Sequence, residues 1–289
     1  MRVFLAGATG VIGRRMVRLL RDGGIAVTGT TRTPAKGRAL STLGATPVVV
    51  DMFDAEAVRR AVDAAAPDVV VHQLTDLPSA PGTPGYADAL TRNARLRIDG
   101  TRNLMAAAAA AGVRRVVAQS IAFVYAPAPG VRVESDPLDD SDDPSRALTI
   151  DGVRALERAV LETSGIDGLV LRYGFLYGPG TWSDMTPKPP AIHVDAAAQA
   201  AVQAVRRGGP GSTISPRTTG SYRAKRRSGN SASMRPSGSC LERLAEIARS
   251  LQSESPRLFD SLGDADALAG DDLRLVGARP QLEGRAVQR

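Results

Sequence analysis

The sequence is poor in the residues that staple, ligate or anchor a chain. Its single cysteine, Cys240, rules out an internal disulfide framework and fits a reducing compartment. Its two histidines, His72 and His193, lie far apart with no cysteine beside either, so no metal site is expected. No apolar run approaches the roughly 20 residues that a membrane helix needs. The run "MAAAAAAG" is alanine on a helix, and no membrane association is expected. The chain opens directly on the apolar "MRVFLAG", leaving no room for a charged leader and cleavage site, and a cytoplasmic protein is expected.

Acid is missing from one stretch. Residues 211–240 hold six Lys or Arg and eight Ser with no Asp or Glu. The net charge of +7 therefore divides into +3 for the first 210 residues, +6 for this stretch and −2 for the last 49. The basic character is local and says little about the folded part.

What is present up to about residue 172 is an alternation of β-branched runs with Ala-rich helical segments. "RVFLAG", "IAVTGTTR", "TPVVVD", "DVVVHQ", "RRVVAQS" and "GLVLRYG" read as six buried strands. After the first of them, Val11, Ile12, Met16, Val17, Leu19 and Leu20 fall on one helical face that stops at Gly23 and Gly24. Asp54 is placed to cap a helix from Ala55. Buried strands separated by helices imply βαβ crossovers, hence an α/β fold with a doubly wound parallel sheet.

The first strand-to-helix turn, "GATGVIG", places Gly7, Gly10 and Gly13 where a tight turn brings backbone N–H groups against a pyrophosphate. Thr9, Val11 and Ile12 complete that cradle. At these residues the chain resembles the short-chain dehydrogenase/reductase superfamily, in its extended or atypical, epimerase/dehydratase-like branch. The resemblance covers roughly residues 1–210 and continues through "VVVD", "VVVHQLTD", "DGTRNLMAAAAAAGVRRVVAQSIAFVY", "LRYGFLYGPGTW" and "AIHVDAAAQAAVQAV". It implies a Rossmann fold, adenine contacts at Asp51 and Met52, and backbone at Gln73 and Leu74 lining the nicotinamide side. It also implies a small-molecule substrate and a homodimer.

At the end of the second strand the chain has Arg32, with Lys36 close behind, where an acid would bind the ribose 2′-hydroxyl of NAD. A guanidinium there favours a 2′-phosphate, which makes NADP the expected cofactor and NAD the alternative. Ser120 matches the serine that orients the substrate oxygen in the resembled family. The family's Tyr-x-x-x-Lys pair has no counterpart: aligning on Leu156 and Glu157 puts Thr149 and Val153 at its two positions, and neither titrates near neutrality. Arg154 is one residue out of register. Tyr125 is the nearest replacement proton carrier, with Tyr173 behind it, although shaping the substrate pocket or filling the core is the favoured role for both; a structural role is expected for His72. The acidic run at 134–145 reads as a solvated loop.

From Trp182 to Ala191 there are only ten residues, so the substrate-binding part is truncated. The expected organisation is a cofactor domain over 1–180, a remnant of the substrate region over 181–210, and an atypical, disordered tail over 211–289. The functional classes that remain are an NAD(P)-dependent oxidoreductase or epimerase/dehydratase, a non-catalytic NADP sensor, and an inactive product with a scrambled C-terminus.

The tail itself has three readings. A nucleic-acid arm is disfavoured because only Tyr222 offers an aromatic face among its cations. A linker to a small helix is suggested by Leu241, Leu244, Ile247, Ala248 and Leu251. The third reading is a displaced frame: GGA TCT ACA ATA TCG CCG AGG ACG ACG GGG encodes "GSTISPRTTG", and a shift of two bases spells Ile-Tyr-Asn-Ile-Ala-Glu-Asp-Asp-Gly, the pattern the resembled family has after "GGPG". Resequencing the gene across the codons for Pro210 to Gly220 is expected to expose the shift; an uninterrupted frame in independent reads removes it.

Overall fold

The computed structural model describes residues 1–77, 84–128, 132–187, 190–206 and 220–224. All of them lie in one compact unit spanning Met1–Gly229. The order is β1 (Arg2–Ala6), α1 (Val11–Asp22), β2 (Ala26–Thr31), α2 (Pro34–Thr42), β3 (Thr46–Val49), α3 (Ala55–Ala65), β4 (Val69–His72) and α4 (Tyr86–Arg95). A π-helical turn at Leu96–Gly100 leads into α5 (Thr101–Ala110), followed by β5 (Arg115–Ile121), α6 (Pro144–Glu162) and β6 (Asp167–Tyr173). Then come β7 (Phe175–Tyr177), β8 (Ala191–His193), α7 (Val194–Arg206) and β9 (Gly220–Ala224).

The six apolar runs are the six parallel strands. They hydrogen-bond in the order β3-β2-β1-β4-β5-β6, with β9 antiparallel at the β6 edge. The order reverses between β1 and β4, the switch point beyond whose strand ends a doubly wound sheet opens a crevice. β7 and β8 form a separate parallel pair.

Strand alternation sorts the core into two layers. Val3 and Leu5 of β1 pack with Met16, Val17 and Leu20 of α1 and with Ala197, Ala201 and Val205 of α7. Phe4 and Ala6 face the other way, among Val58 and Val62 of α3, Leu104 and Ala108 of α5, and Leu156 and Val160 of α6. Each fully buried Val, Leu or Phe stabilises the fold by about 1.5–3 kcal/mol.

The helix starts follow local chemistry. Asp54 accepts a hydrogen bond from Ala57 N at 2.9 Å and caps α3 as expected. Asp143 does the same for Arg146 N at 2.7 Å, ahead of Pro144, so the acidic run supplies the cap of α6. Asp139 of the same run pairs with Arg146 at 2.8 Å.

The disorder and displaced frame expected for 211–289 fall outside the described residues, apart from 220–224, which form the edge strand. No helix among the described residues is long and apolar enough to cross a membrane. Truncating Phe4, fully enclosed between β1 and the α3, α5 and α6 layer, is expected to cost about 3–5 kcal/mol, read as a lower urea midpoint for Phe4→Ala.

Candidate cofactor and substrate site

The glycine turn is shaped by close backbone contact. Gly7 has φ +90°, and a Cβ on it would overlap the Gln73 carbonyl at the exit of β4. A Cβ on Gly13 would overlap the Gly7 carbonyl and come within 2.8 Å of Ala8 Cα. The Gly7 amide donates to Thr30 Oγ1 at 3.1 Å, fixing the turn to β2. Gly10, at the N-cap of α1, offers no side chain to that helix's first turn. The leading amides of Val11, Ile12 and Gly13 thus point along the positive end of α1 toward the crevice.

A second contact covers this turn. Arg15 donates to Val11 O at 3.0 Å and to Pro179 O at 2.8 Å, and pairs with Asp195 at the start of α7. The segment after β7 is thereby drawn over α1; a Cβ on Gly180 would stand 3.5 Å from the Val11 side chain.

The other cofactor candidates sit at the ends of β2, β3 and β4. Arg32 follows β2 with its side chain 67% exposed, and pairs with Asp76 at 3.1 Å. Asp76 also holds Arg92 at 3.3 Å, so two guanidiniums flank one carboxylate. Asp51 is exposed and accepts from Phe53 N at 3.0 Å. The next residue, Met52, is buried, and its carbonyl accepts from Asn103 at 2.9 Å. Leu74 is half-buried. Gln73 is buried with neither atom of its side-chain amide partnered. A cradle that any Cβ would fill, beside an orphaned buried amide, fits a dinucleotide laid across the switch point.

His72 has a structural arrangement. Its Nδ1 accepts from Leu74 N at 3.4 Å, which leaves Nε2 to donate to Thr101 Oγ1 at 2.9 Å. Burial pushes its pKa down to about 4, and the nearby Arg97 guanidinium acts in the same direction against a backbone hydrogen bond.

For Ser120 the geometry supplies a buried carboxylate partner. The hydroxyl is buried and donates to Glu157 Oε1 at 2.7 Å. Glu157 in turn accepts from Arg172 Nε at 2.8 Å and Nη2 at 2.5 Å. The physical reason is strand alternation: Val116, Ala118 and Ser120 all face α6, which brings the buried Glu157. Burial alone lowers the pKa of Arg172, but the hydrogen bond and charge of Glu157 outweigh it, with a smaller push from Tyr125, and the net shift is upward. Breaking such a buried pair costs about 3–5 kcal/mol.

Tyr125 is 7% exposed, with Arg172 stacked 4.9 Å over its ring. Val153 is fully buried against Ile121, Val124 and Ile150, and Thr149 Oγ1 returns to Ser145 O at 3.1 Å. α6 itself therefore presents neither a tyrosine nor a lysine on its inner face. Beyond the ends of β5 and β6, Phe123 and Phe175 stack with ring centroids 4.5 Å apart. Sequence reasoning missed Thr30, Asp76, the Glu157–Arg172 pair and the buried Arg97. For Glu157 a signal existed, since the phase of the β5 alternation already aims Ser120 at α6.

Strand, glycine turn, uncapped helix and reversed strand order together define a dinucleotide-binding Rossmann domain. The chain belongs to the NAD(P)H-binding family, whose model matches residues 7–206, and its ligand is a nicotinamide cofactor. Over 183 residues it is 50% identical to a 3-diazoavenalumate denitrifying reductase from a Streptomyces species, a match covering 63% of this chain and 58% of that protein. Its fold is that of the extended, epimerase-like short-chain dehydrogenase/reductases. Thermus thermophilus UDP-glucose 4-epimerase in complex with NAD superposes with a TM-score of 0.57 at 22% identity, over 71% of this chain and 74% of that one. Bordetella bronchiseptica WbmH in complex with NAD+ does so with 0.55 at 21%, over 72% of each.

Because folding lowers the pKa of His72 from 6.5 to about 4, the unfolded chain binds the extra proton between those values. The stabilisation is complete above pH 6.5 and is lost as the pH falls toward 4, by about 3 kcal/mol in all. Urea unfolding at pH 7 and pH 4.5 is expected to show this loss, and His72→Asn to flatten it.

Proposed function

We propose that the protein is an NADPH-dependent reductase whose acceptor takes a hydride without a proton from a tyrosine–lysine pair. The observation that carries this is the inner face of α6: Val153 is sealed in the core, Thr149 is turned to its own helix backbone, and Ser120 is spent on Glu157. Epimerisation or dehydration of a sugar, like carbonyl reduction, needs a side chain that moves a proton at oxygen. A diazo-bearing acid does not. NADPH held at the glycine turn would supply a hydride, and an aryl diazonium that received it would leave as the arene and N2, with charge and atoms balanced. The similarity to a denitrifying reductase supports that acceptor class.

In this reading Gly7, Thr9, Gly10, Val11, Ile12 and Gly13 hold the pyrophosphate. Asp51 and Met52 flank the adenine, and Gln73 and Leu74 border the nicotinamide. Arg32 takes the 2′-phosphate, exchanging part of its contact with Asp76 for a doubly charged partner. The core of α6 excludes water from beneath the reacting centre. A cytoplasmic homodimer belongs to the same proposal.

The test is NADPH oxidation with an aryl diazo acid, with N2 measured as product. Turnover is expected, and Arg32→Ala is expected to weaken NADPH binding about tenfold while leaving NADH binding nearly unchanged. Cofactor binding with no turnover on any acceptor would instead favour the sensor. Turnover of carbonyls that disappears in Tyr125→Phe would make that tyrosine a proton donor and overturn the reading.

A further inference from the structure

Arg97 stands inside the π-helical turn that joins α4 to α5 and is 6% exposed. A guanidinium so placed is ordinarily neutralised by a carboxylate and satisfied by carbonyls. Neither occurs here: among the described residues no carboxylate lies within 4.0 Å of it, and it donates no hydrogen bond. Glu157 is near enough to raise its pKa, yet the carboxylate is already occupied by Ser120 and by Nε and Nη2 of Arg172. Burial dominates and brings the pKa of Arg97 down to about 10, which leaves it charged at neutrality. Its nitrogens are not among the fully enclosed atoms that lack a partner, so the guanidinium tip keeps part of that small exposure. A buried stem with an open, unpaired cationic tip has the form of an anion receptor.

Its place in the sheet selects which anion. The glycine turn follows β1 and Arg32 follows β2, so the charged groups of the cofactor are handled on that side of the switch point. Arg97 lies on the other side, close enough to His72 at the end of β4 for its charge to act on that ring. Next in the sheet come β5 and β6, whose ends carry the stacked Phe123 and Phe175, the latter 42% exposed. Planar apolar surface beyond β5 and β6, together with a fork-shaped cation beside β4, suits a flat molecule that ends in a carboxylate.

We propose that Arg97 anchors the carboxylate of an aromatic acid substrate in the crevice beside β4. This deepens the reductase reading and rests on it only for calling the bound acid a substrate. The charge is held at a cost in folding stability, because an unpaired buried cation is worse than an apolar residue of equal volume.

The experiment is isothermal titration of the full chain, saturated with NADPH, with cinnamate and with the uncharged cinnamamide, beside thermal melts of the cofactor-free protein. Cinnamate is expected to bind at least about tenfold more tightly than cinnamamide, a preference abolished in Arg97→Met and partly kept in Arg97→Lys. Affinity for NADPH is expected to stay within about twofold in both variants, and the melting temperature of Arg97→Met to hold or rise. Absence of cinnamate binding, or equal binding of the amide, overturns the proposal. So does a loss of NADPH affinity with cinnamate unaffected, which would assign Arg97 to the cofactor. A lower melting temperature with both ligands unaffected would make the residue structural and overturn it too. Should cinnamate bind through Arg97 while no diazo acid is reduced, the anchoring stands and the reductase reading falls.

Discussion

The backbone of the first strand-to-helix turn passes so close to its neighbours that two side chains must be absent. At Gly7 a Cβ would meet the carbonyl of Gln73, and at Gly13 it would meet the carbonyl of Gly7 itself. Everything around the crevice depends on that approach. It seats the start of α1 against the exit of β4, lets Thr30 fasten the turn to β2, and leaves the leading amides of α1 uncovered by any capping side chain. A methyl group at either glycine would push α1 off the sheet and, with it, α7, which packs on the same layer through Ala197, Ala201 and Val205.

On the other side of the switch point the polar groups divide into two kinds. Glu157 accepts from Ser120 and from Nε and Nη2 of Arg172 in the core and ties α6 to β5 and β6, with only Arg172 Nη1 left without a partner. The side-chain amide of Gln73 is buried without a partner, and Arg97, 6% exposed, carries a guanidinium that no carboxylate pairs among the described residues. The first group accounts for rigidity, since a buried network of charge-assisted hydrogen bonds resists rearrangement. The second is costly to the empty protein, because a buried polar group without a partner has given up its water for nothing.

Much of this is legible in local sequence. The six strands lie where the β-branched runs predict them, Asp54 caps the helix it precedes, and the glycines fall in the one strand-to-helix turn that needs them. Ser120 is legible as a strand residue but not as a buried one. Its hydroxyl is claimed by Glu157, 37 residues later, and no local pattern announces that partner. Arg32 is legible at the end of β2, whereas its contact with Asp76 arises from a loop 44 residues away.

The amino-acid order by itself determined the alternation of strands and helices, the helix caps and the glycine turn, because each depends on side-chain periodicity or backbone freedom within a few residues. Only the tertiary structure decided that Ser120 is spent on an ion pair, that Val153 is sealed in the core and that Arg97 keeps an unpaired charge. Those outcomes depend on which helix is laid over which strand. Burial and pairing are properties of neighbours brought together from distant parts of the chain, and the electrostatic cost of a charge is set by them.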